Sequence, residues 1–263
     1  MTQQKRLNRA LELISERGNV SIAEISEELR ISPATARRDL NSLADQRMVT
    51  RTHGGASALG SGYELPLHYK LVRQAEAKAA IAQTTLSLLE PGDVVGLNGG
   101  TTTSEVARQL GRSDRFSARG DAPGVTLVTN ALNIAYELSV REHVKIVVTG
   151  GVPRRLSYEL VGPLVGSSLR KFSIHTAVLG VDGLDGHGAT TMHEGEAQAS
   201  RDIAAAAKRV IIVADSTKMG VSTFARICDL TSVDVLVTDQ PLAEDLSELL
   251  AEAGVDVVLT GVQ

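Results

Sequence analysis

Residues 21–55 read SIAEISEELRISPATARRDLNSLADQRMVTRTHGG, and two helix starts fall within the first thirteen positions. Ser21 with Glu24 three places on matches the capping box, in which the serine caps the third amide and the glutamate reaches back to the serine amide. Ile22, Ile25 and Leu29 then supply one apolar face, which predicts a helix over 22–29. Ser32 suits an N-cap and Pro33 the first helical position, where its missing N–H costs nothing. Ala36, Leu40 and Leu43 follow at i, i+4 and i+7, so a further helix begins here and turns Thr35, Arg37, Arg38 and Asn41 to its opposite face. Upstream, Leu7, Ala10, Leu11 and Ile14 repeat at helical spacing before Gly18, the residue type that commonly follows a helix C-terminus.

Two short helices joined by a tight turn, the second opening on small polar residues and arginines, make a helix-turn-helix. Its recognition helix points N-terminal residues at base edges. Arginine can serve twice there, by bidentate recognition of guanine and by pairing with phosphate. Residues 48–55 read as a short strand or hairpin ending in a glycine turn, a wing against the DNA backbone with Arg51 on a phosphate and His53 beside it. The expected DNA-contact set is therefore Ser32, Pro33, Thr35, Arg37, Arg38, Asn41, Arg51 and His53. Charge agrees with this reading. Residues 1–56 hold nine Lys/Arg against seven Asp/Glu, a balance of +2 that leaves −6 on the rest of a chain of net charge −4. Five arginines (30, 37, 38, 47 and 51) against Asp39 and Asp45 put +3 into 30–53. A basic head on an acidic body is the footprint of a nucleic-acid reader joined to something else, although charge alone fits a solvated helix face equally well.

The head resembles a known family. The run Ile31-Ser32-Pro33-Ala34-Thr35-Ala36-Arg37-Arg38-Asp39-Leu40, with Leu43 and Arg51-Thr52-His53-Gly54-Gly55-Ala56, is similar to the N-terminal signature of DeoR-type bacterial transcriptional regulators. Ala36 stands where that family often has isoleucine, a smaller residue on the packed face. The resemblance implies a winged helix-turn-helix DNA-binding domain over 1–56.

Beyond it, 57–75 reads as a linker, opening on SALGSGYELP at 57–66, and a domain over 76–263 follows. A helical pattern over 70–89 is stopped by Pro91-Gly92. From 93 onward, β-branched runs at 93–97, 125–129, 144–149, 176–180, 210–214, 233–237 and 255–259 alternate with helix-length segments. That alternation predicts βαβ units and a mostly parallel α/β sheet. Such sheets bind ligands outside the carboxyl ends of their strands. Those ends carry Asn98-Gly99-Gly100-Thr101-Thr102, Thr129-Asn130, Gly150-Gly151 near Arg154 and Arg155, Gly180-Val181-Asp182-Gly183, and Asp215-Ser216-Thr217-Lys218. The turn after Asn98 offers free backbone, an unpaired helix N-terminus and threonine hydroxyls, which suit phosphate. Taken alone it fits a plain N-cap turn equally well, but polar or glycine residues at five strand ends describe a pocket rim, and its basic residues suit an anion.

The same stretches, with Lys78, Thr149 and Glu196-Ala197, are similar to the sensor domain of the DeoR-type regulators, which in turn resembles ribose-5-phosphate isomerases and glucosamine-6-phosphate deaminases. At Asn98 and Gly99 the family often shows aspartate and serine. The resemblance implies an effector site for a phosphorylated sugar built from Asn98, Gly99, Gly100, Thr101, Thr102, Thr129, Asn130, Gly150, Gly151, Asp182, Glu196 and Lys218.

The expected function is thus a DNA-binding transcriptional regulator, a repressor of a carbohydrate catabolic operon controlled by a phosphorylated sugar. Its expected partners are double-stranded operator DNA and that effector. A homodimer or higher homo-oligomer is expected, because one head buries only about 600 to 1,000 Å² on DNA. The rival is a sugar-phosphate isomerase or deaminase using Asp182, Glu196 and Lys218 as acid-base groups, disfavoured by the complete DNA-reading head. No metal or cofactor is expected. Asp182, Asp185, His187, His193, Glu194 and Glu196 lack the spacing of an EF-hand or HExxH site. No GxSxG elbow is present, and the single cysteine, Cys228, has no CxxC companion. Without a signal-peptide core or an apolar run of about 18 residues, a cytoplasmic protein is expected.

Overall fold

The computed structural model describes residues 2–46, 48–58, 67, 74–118, 120 and 122–261. The chain divides into two compact units, Met1–Arg73 and Gln74–Gln263. Arg47 and most of the expected linker, 59–66 and 68–73, lie outside the described residues.

The first unit contains α1 (Gln3–Arg17), β1 (Asn19–Ser21), α2 (Ile22–Leu29), α3 (Pro33–Asp45), β2 (Val49–Arg51) and β3 (Gly55–Ala58). The capping box at the head of α2 forms: the Ser21 amide donates to Glu24 Oε2 at 2.7 Å, and the Glu24 amide donates to Ser21 Oγ at 3.2 Å. Ser32 caps α3 by accepting from the Thr35 amide at 3.2 Å, with Pro33 in the first turn. The three helices bury Leu7, Leu11, Ile14, Ile25, Leu29, Ala36, Leu40 and Leu43 in one core with Val20, Met48, Val49 and Ala56. The wing is a three-stranded antiparallel sheet in the order β1-β3-β2. The sequence does not announce β1, which has three residues. Gly55 permits its pairing, because a Cβ there would lie 2.0 Å from the Val20 carbonyl oxygen.

In the second unit, α4 (Ala75–Ser87) precedes β4 (Val94–Leu97), α5 (Thr101–Leu110), β5 (Val125–Thr129), α6 (Leu132–Leu138) and β6 (Val144–Val148). A short arm, β7 (Val152–Pro153) and β8 (Leu160–Val161), leads to α7 (Pro163–Leu169) and β9 (Ile174–Gly180). Then come β10 (Gly183–Asp185), β11 (Gly188–Thr191), α8 (Glu194–Ala205), β12 (Ala207–Val213), β13 (Ala225–Cys228), β14 (Val235–Thr238), α9 (Glu244–Glu252) and β15 (Asp256–Leu259). All seven strands expected from the β-branched runs enter one sheet, in the order β15-β14-β12-β9-β4-β5-β6, and every pairing in it is parallel. Both faces are covered, so the strands alternate between two cores. Val178, Ile211 and Val213 face α4, α5 and α6, while Ala177, Leu179, Val210 and Ile212 face α7, α8 and α9. β10, β11 and β13 form a separate antiparallel sheet, and β7 and β8 a two-stranded one.

Candidate functional site

In the first unit α3 presents one face to the core and the other to solvent. Ala36, Asp39, Leu40 and Leu43 are buried, whereas Ser32, Pro33, Ala34, Arg37, Arg38 and Asn41 are exposed. Ala34, Arg37, Arg38 and Asn41 fall at i, i+3, i+4 and i+7, which is one helical stripe. Arg37 and Arg38 make no hydrogen bond or ion pair among the described residues. Thr35 is half-buried, and its hydroxyl shares a 2.9 Å hydrogen bond with Ser32 Oγ, so these two side chains shape the helix head as well as lining it. On the wing, His53 is exposed and Arg51 donates from Nη1 to the Gly55 carbonyl across the turn. Arg51 thus spends one donor on holding the wing. Asp39 is turned inward and paired, since Arg6 of α1 donates to it from Nε at 2.5 Å and from Nη2 at 3.0 Å. That fork, which holds the Arg6 guanidinium more firmly protonated than usual, pins α3 to α1.

In the second unit the sheet reverses its winding between β4 and β9: β4, β5 and β6 run one way from this point, and β9, β12, β14 and β15 the other. A crevice opens at the carboxyl ends of strands on either side of such a switch point. Asn98 follows β4 at this point, buried, and all of its amide is used. Nδ2 donates to the Gly180 carbonyl and to Ser200 Oγ, each at 2.9 Å, while Oδ1 accepts from the Gly180 amide at 2.9 Å. Asn98 therefore ties β4 to β9 and α8 and has no donor left for a ligand. Gly100, with φ +135°, caps α5; its carbonyl accepts from the Ser104 amide at 3.1 Å and Ser104 Oγ at 2.6 Å. Among the described residues no side chain caps the head of α5, where Thr101 is half-buried and Thr102 buried.

The other expected effector residues divide similarly. Thr129 Oγ1 accepts from the Ala131 amide at 3.0 Å and serves the turn. Asn130 donates from Nδ2 to Glu159 Oε2 at 2.9 Å and to the Leu160 carbonyl at 3.0 Å. The Gly150 amide meets Ser168 Oγ at 3.3 Å, and Gly151 turns the chain with φ +144°. Asp182 Oδ2 accepts from Thr191 Oγ1 at 2.8 Å and the Met192 amide at 3.2 Å. Glu196 is buried, with Arg154 Nη1 on its Oε1 at 2.6 Å. Lys218 ends the 3₁₀ turn Ser216–Lys218 after β12, half-buried. β12 lies two strands from β4, roughly 10 Å at the usual strand spacing. Cys228 is half-buried, and burial next to Asp229 pushes its thiol up to about 11.

One residue of this crevice escapes sequence reasoning. Glu159, at the end of the loop joining β7 to β8, is 5% exposed and sits against Gly99 and Asn130, within reach of the charges of Glu196 and Asp182. Desolvation, then the Glu196 charge, pushes its carboxyl up to about 8, against the opposing hydrogen bonds from Asn130 and the Gly99 amide. Burial at this position thus favours the protonated carboxyl over the ionised one. No motif marks it, but Gly99 is a signal: a glycine with no left-handed φ to justify it implies a close neighbour. Among the described residues no group of His, Cys, Asp or Glu is placed to hold a metal ion, and no helix is long and apolar enough to cross a membrane.

Comparison with known proteins accounts for both units. Residues 6–61 match the model of the DeoR-like helix-turn-helix domain and residues 73–240 that of the DeoR C terminal sensor domain. The chain is 36% identical over 260 residues to the HTH-type transcriptional regulator GlpR of Haloferax volcanii, covering 98% of each. It is 30% identical to the glycerol-3-phosphate regulon repressor of Escherichia coli, covering 98% of this chain and 100% of that one. Among solved structures, a D-ribose-5-phosphate isomerase in complex with phospho-erythronic acid aligns over 55% of this chain and 54% of its own, with 21% identity and a TM-score of 0.40. A helix-turn-helix head with a free arginine stripe and a parallel α/β unit, both matched in order along one chain, make this protein a member of the DeoR family of DNA-binding transcriptional regulators.

Proposed function

We propose that this regulator is a repressor of genes for carbohydrate or glycerol phosphate use, that α3 reads its operator, and that a phosphorylated sugar or polyol bound at the strand ends of the second unit controls it. The observation that carries the DNA assignment is the exposed stripe of α3, in which Arg37 and Arg38 hold no partner among the described residues. One reaches a base edge and the other a phosphate, with Ser32, Pro33, Thr35 and Asn41 at the helix head and Arg51 and His53 on the wing. The effector phosphate sits at the head of α5, held by uncapped amides and the hydroxyls of Thr101 and Thr102, with Lys218 neutralising its charge from across the switch point. Binding without turnover suits this site, because Glu196 is engaged by Arg154 and Asp182 by Thr191 and Met192. The protein acts as a homo-oligomer in the cytoplasm, since one small head supplies too few contacts for tight operator binding. The effector need only favour one DNA-affinity state by about 1 to 3 kcal/mol to change operator binding about 5- to 150-fold.

The test is an operator titration at fixed salt with and without glycerol 3-phosphate and a panel of sugar phosphates. Arg37→Ala and Arg38→Ala are each expected to weaken operator binding by about 1 to 3 kcal/mol. Thr101→Val and Lys218→Ala are each expected to raise the effector half-saturation by about 10- to 100-fold, the loss of one charge-assisted hydrogen bond. Unchanged operator affinity in both arginine variants, or unchanged half-saturation in both pocket variants, would displace the corresponding site.

A further inference from the structure

The arm between β7 and β8 holds Glu159 in place at a conformational cost. Tyr158, just before it, has φ +62°, a left-handed conformation that a bulky residue adopts only when its surroundings impose it. The imposition is visible: Glu159 bridges to Ala131, the Leu132 amide donates to the Tyr158 carbonyl at 3.0 Å, and the Leu160 amide donates to the Asn130 carbonyl at 2.7 Å. The result is one carboxyl delivered into the crevice beside α5. A Cβ on Gly99 would fall 2.2 Å from Glu159 Cγ and 2.6 Å from Oε1, so Glu159 fills the space that a side chain at position 99 would take. The adjacent Asn130 is fully buried, and the Oδ1 of the same amide that donates to Glu159 has no partner among the described residues. That oxygen is an acceptor, so a water or a donor group, and not the anion itself, is what it can pair with.

We propose that Glu159 is a specificity-determining residue of the effector site, standing beside the uncapped head of α5 so that an incoming anion has to share that corner with its carboxyl. This rests on the reading above that the effector's anionic group binds at the head of α5. The groups facing Glu159 are Glu196 from α8, Asp182 from the turn after β9, the Asn130 amide after β5 and the Gly99 amide after β4. Arg154, from its own arm, is engaged with Glu196. Glu196 and Asp182 act on Glu159 through their charge, and a dianion is tolerated at this corner only while Glu159 is neutral. The protonated form, dominant below about pH 8, admits the anion and can also donate a hydrogen bond to it; the ionised form repels it.

Sulfate, a dianion across the neutral and alkaline range, is the probe. Its binding to the full chain is measured by calorimetry at pH 6.5 and 9.0 and constant ionic strength, for the wild type, Glu159→Gln and Thr102→Val. If only the neutral carboxyl admits the anion, wild-type affinity falls about tenfold between these pH values, as a proton lost with a midpoint near 8 requires. Glu159→Gln is expected to bind with the same affinity at both, and about tenfold more tightly than the wild type at pH 9.0. Glu159→Ser, which has no titrating group and a smaller side chain, gives the same reading if the glutamine variant does not fold. Equal pH dependence in the wild type and in the Glu159 variants, or a wild type flat within twofold, overturns the role of Glu159 while leaving the anion site standing. Absence of sulfate binding at both pH values, or binding that Thr102→Val does not weaken, overturns the anion site and this proposal together.

Discussion

Replacing Gly99 by alanine isolates the closest contact in the crevice. The new methyl would stand 2.2, 2.5 and 2.6 Å from Cγ, Cδ and Oε1 of Glu159, three contacts that real Cβ atoms do not make. Backbone conformation adds nothing to the cost, because Gly99 has no left-handed φ. Two outcomes are open to the variant. If Glu159 stays, overpacking costs about 1 to 3 kcal/mol. If it swings out, Asn130 keeps only the Leu160 carbonyl and loses a hydrogen bond worth about 0.5 to 1.5 kcal/mol, while the displaced carboxyl strains the arm. Either way Gly99→Ala destabilises the second unit by about 1 to 3 kcal/mol. In a Glu159→Ala background the obstruction is gone, and the same substitution should be neutral or stabilising by about 0.4 to 1 kcal/mol, since alanine restricts the unfolded chain more than glycine does. Urea denaturation of the four proteins of this cycle, with the transition of the second unit fitted separately, reads the coupling directly. A cost of the same sign and size in both backgrounds would show that something other than Glu159 forbids a side chain at 99, and no cost in the wild type would refute the contact.

Two further measurements bear on named groups. Arg6→Ala leaves the Asp39 carboxylate buried without its partner and should destabilise the first unit by about 3 kcal/mol, with Arg6→Lys recovering little because the fork is lost; a melting temperature within one degree of wild type would show that the pair holds nothing together. Because the Glu159 carboxyl is raised from 4.5 to about 8 in the folded chain, its contribution is full below about pH 4.5 and is lost as pH rises to about 8. Wild-type stability relative to Glu159→Gln should therefore decline by up to about 1.4 kcal/mol per pH unit inside that window and level off above it; parallel stability profiles of the two proteins would refute the raised carboxyl.

The sheet was legible in the sequence because its strands are covered on both faces. A doubly covered parallel strand reads as a near-continuous β-branched run, and runs such as VTLVT at 125–129 and VKIVV at 144–148 survive any choice of window. The short strands were not legible for the opposite reason. β7 and β8 have two residues each, and their pairing depends on Gly151 and on the chain crossing at Ala131 and Glu159, which no local pattern encodes. The candidate effector site was half legible. Position at a strand end identifies which residues line the crevice, but not which way each side chain is spent. Asn98 is taken up by Gly180 and Ser200, 82 and 102 residues away in sequence, and Glu159 gains its importance from Gly99, 60 residues before it.

The recognition helix follows the same logic. Helical spacing alone separates Arg37, Arg38 and Asn41 from Ala36, Leu40 and Leu43, so the solvent stripe could be read without coordinates. Asp39 lies between these faces, and periodicity does not say whether it meets solvent, DNA or protein. It is the bidentate fork from Arg6, 33 residues earlier, that turns an acidic residue next to two arginines from a mismatch into a fixture. If, as proposed, Arg38 meets DNA phosphate, an unpaired carboxylate one position away would repel that phosphate; engaged by Arg6, its charge is neutralised within the domain and leaves the charge of the adjacent arginines uncompensated. Substitutions at Arg6 should therefore weaken operator binding as well as stability, through a carboxylate released beside the DNA-facing stripe. The salt dependence separates the two effects: repulsion by a released Asp39 is screened as ionic strength rises, whereas misplacement of α3 is not.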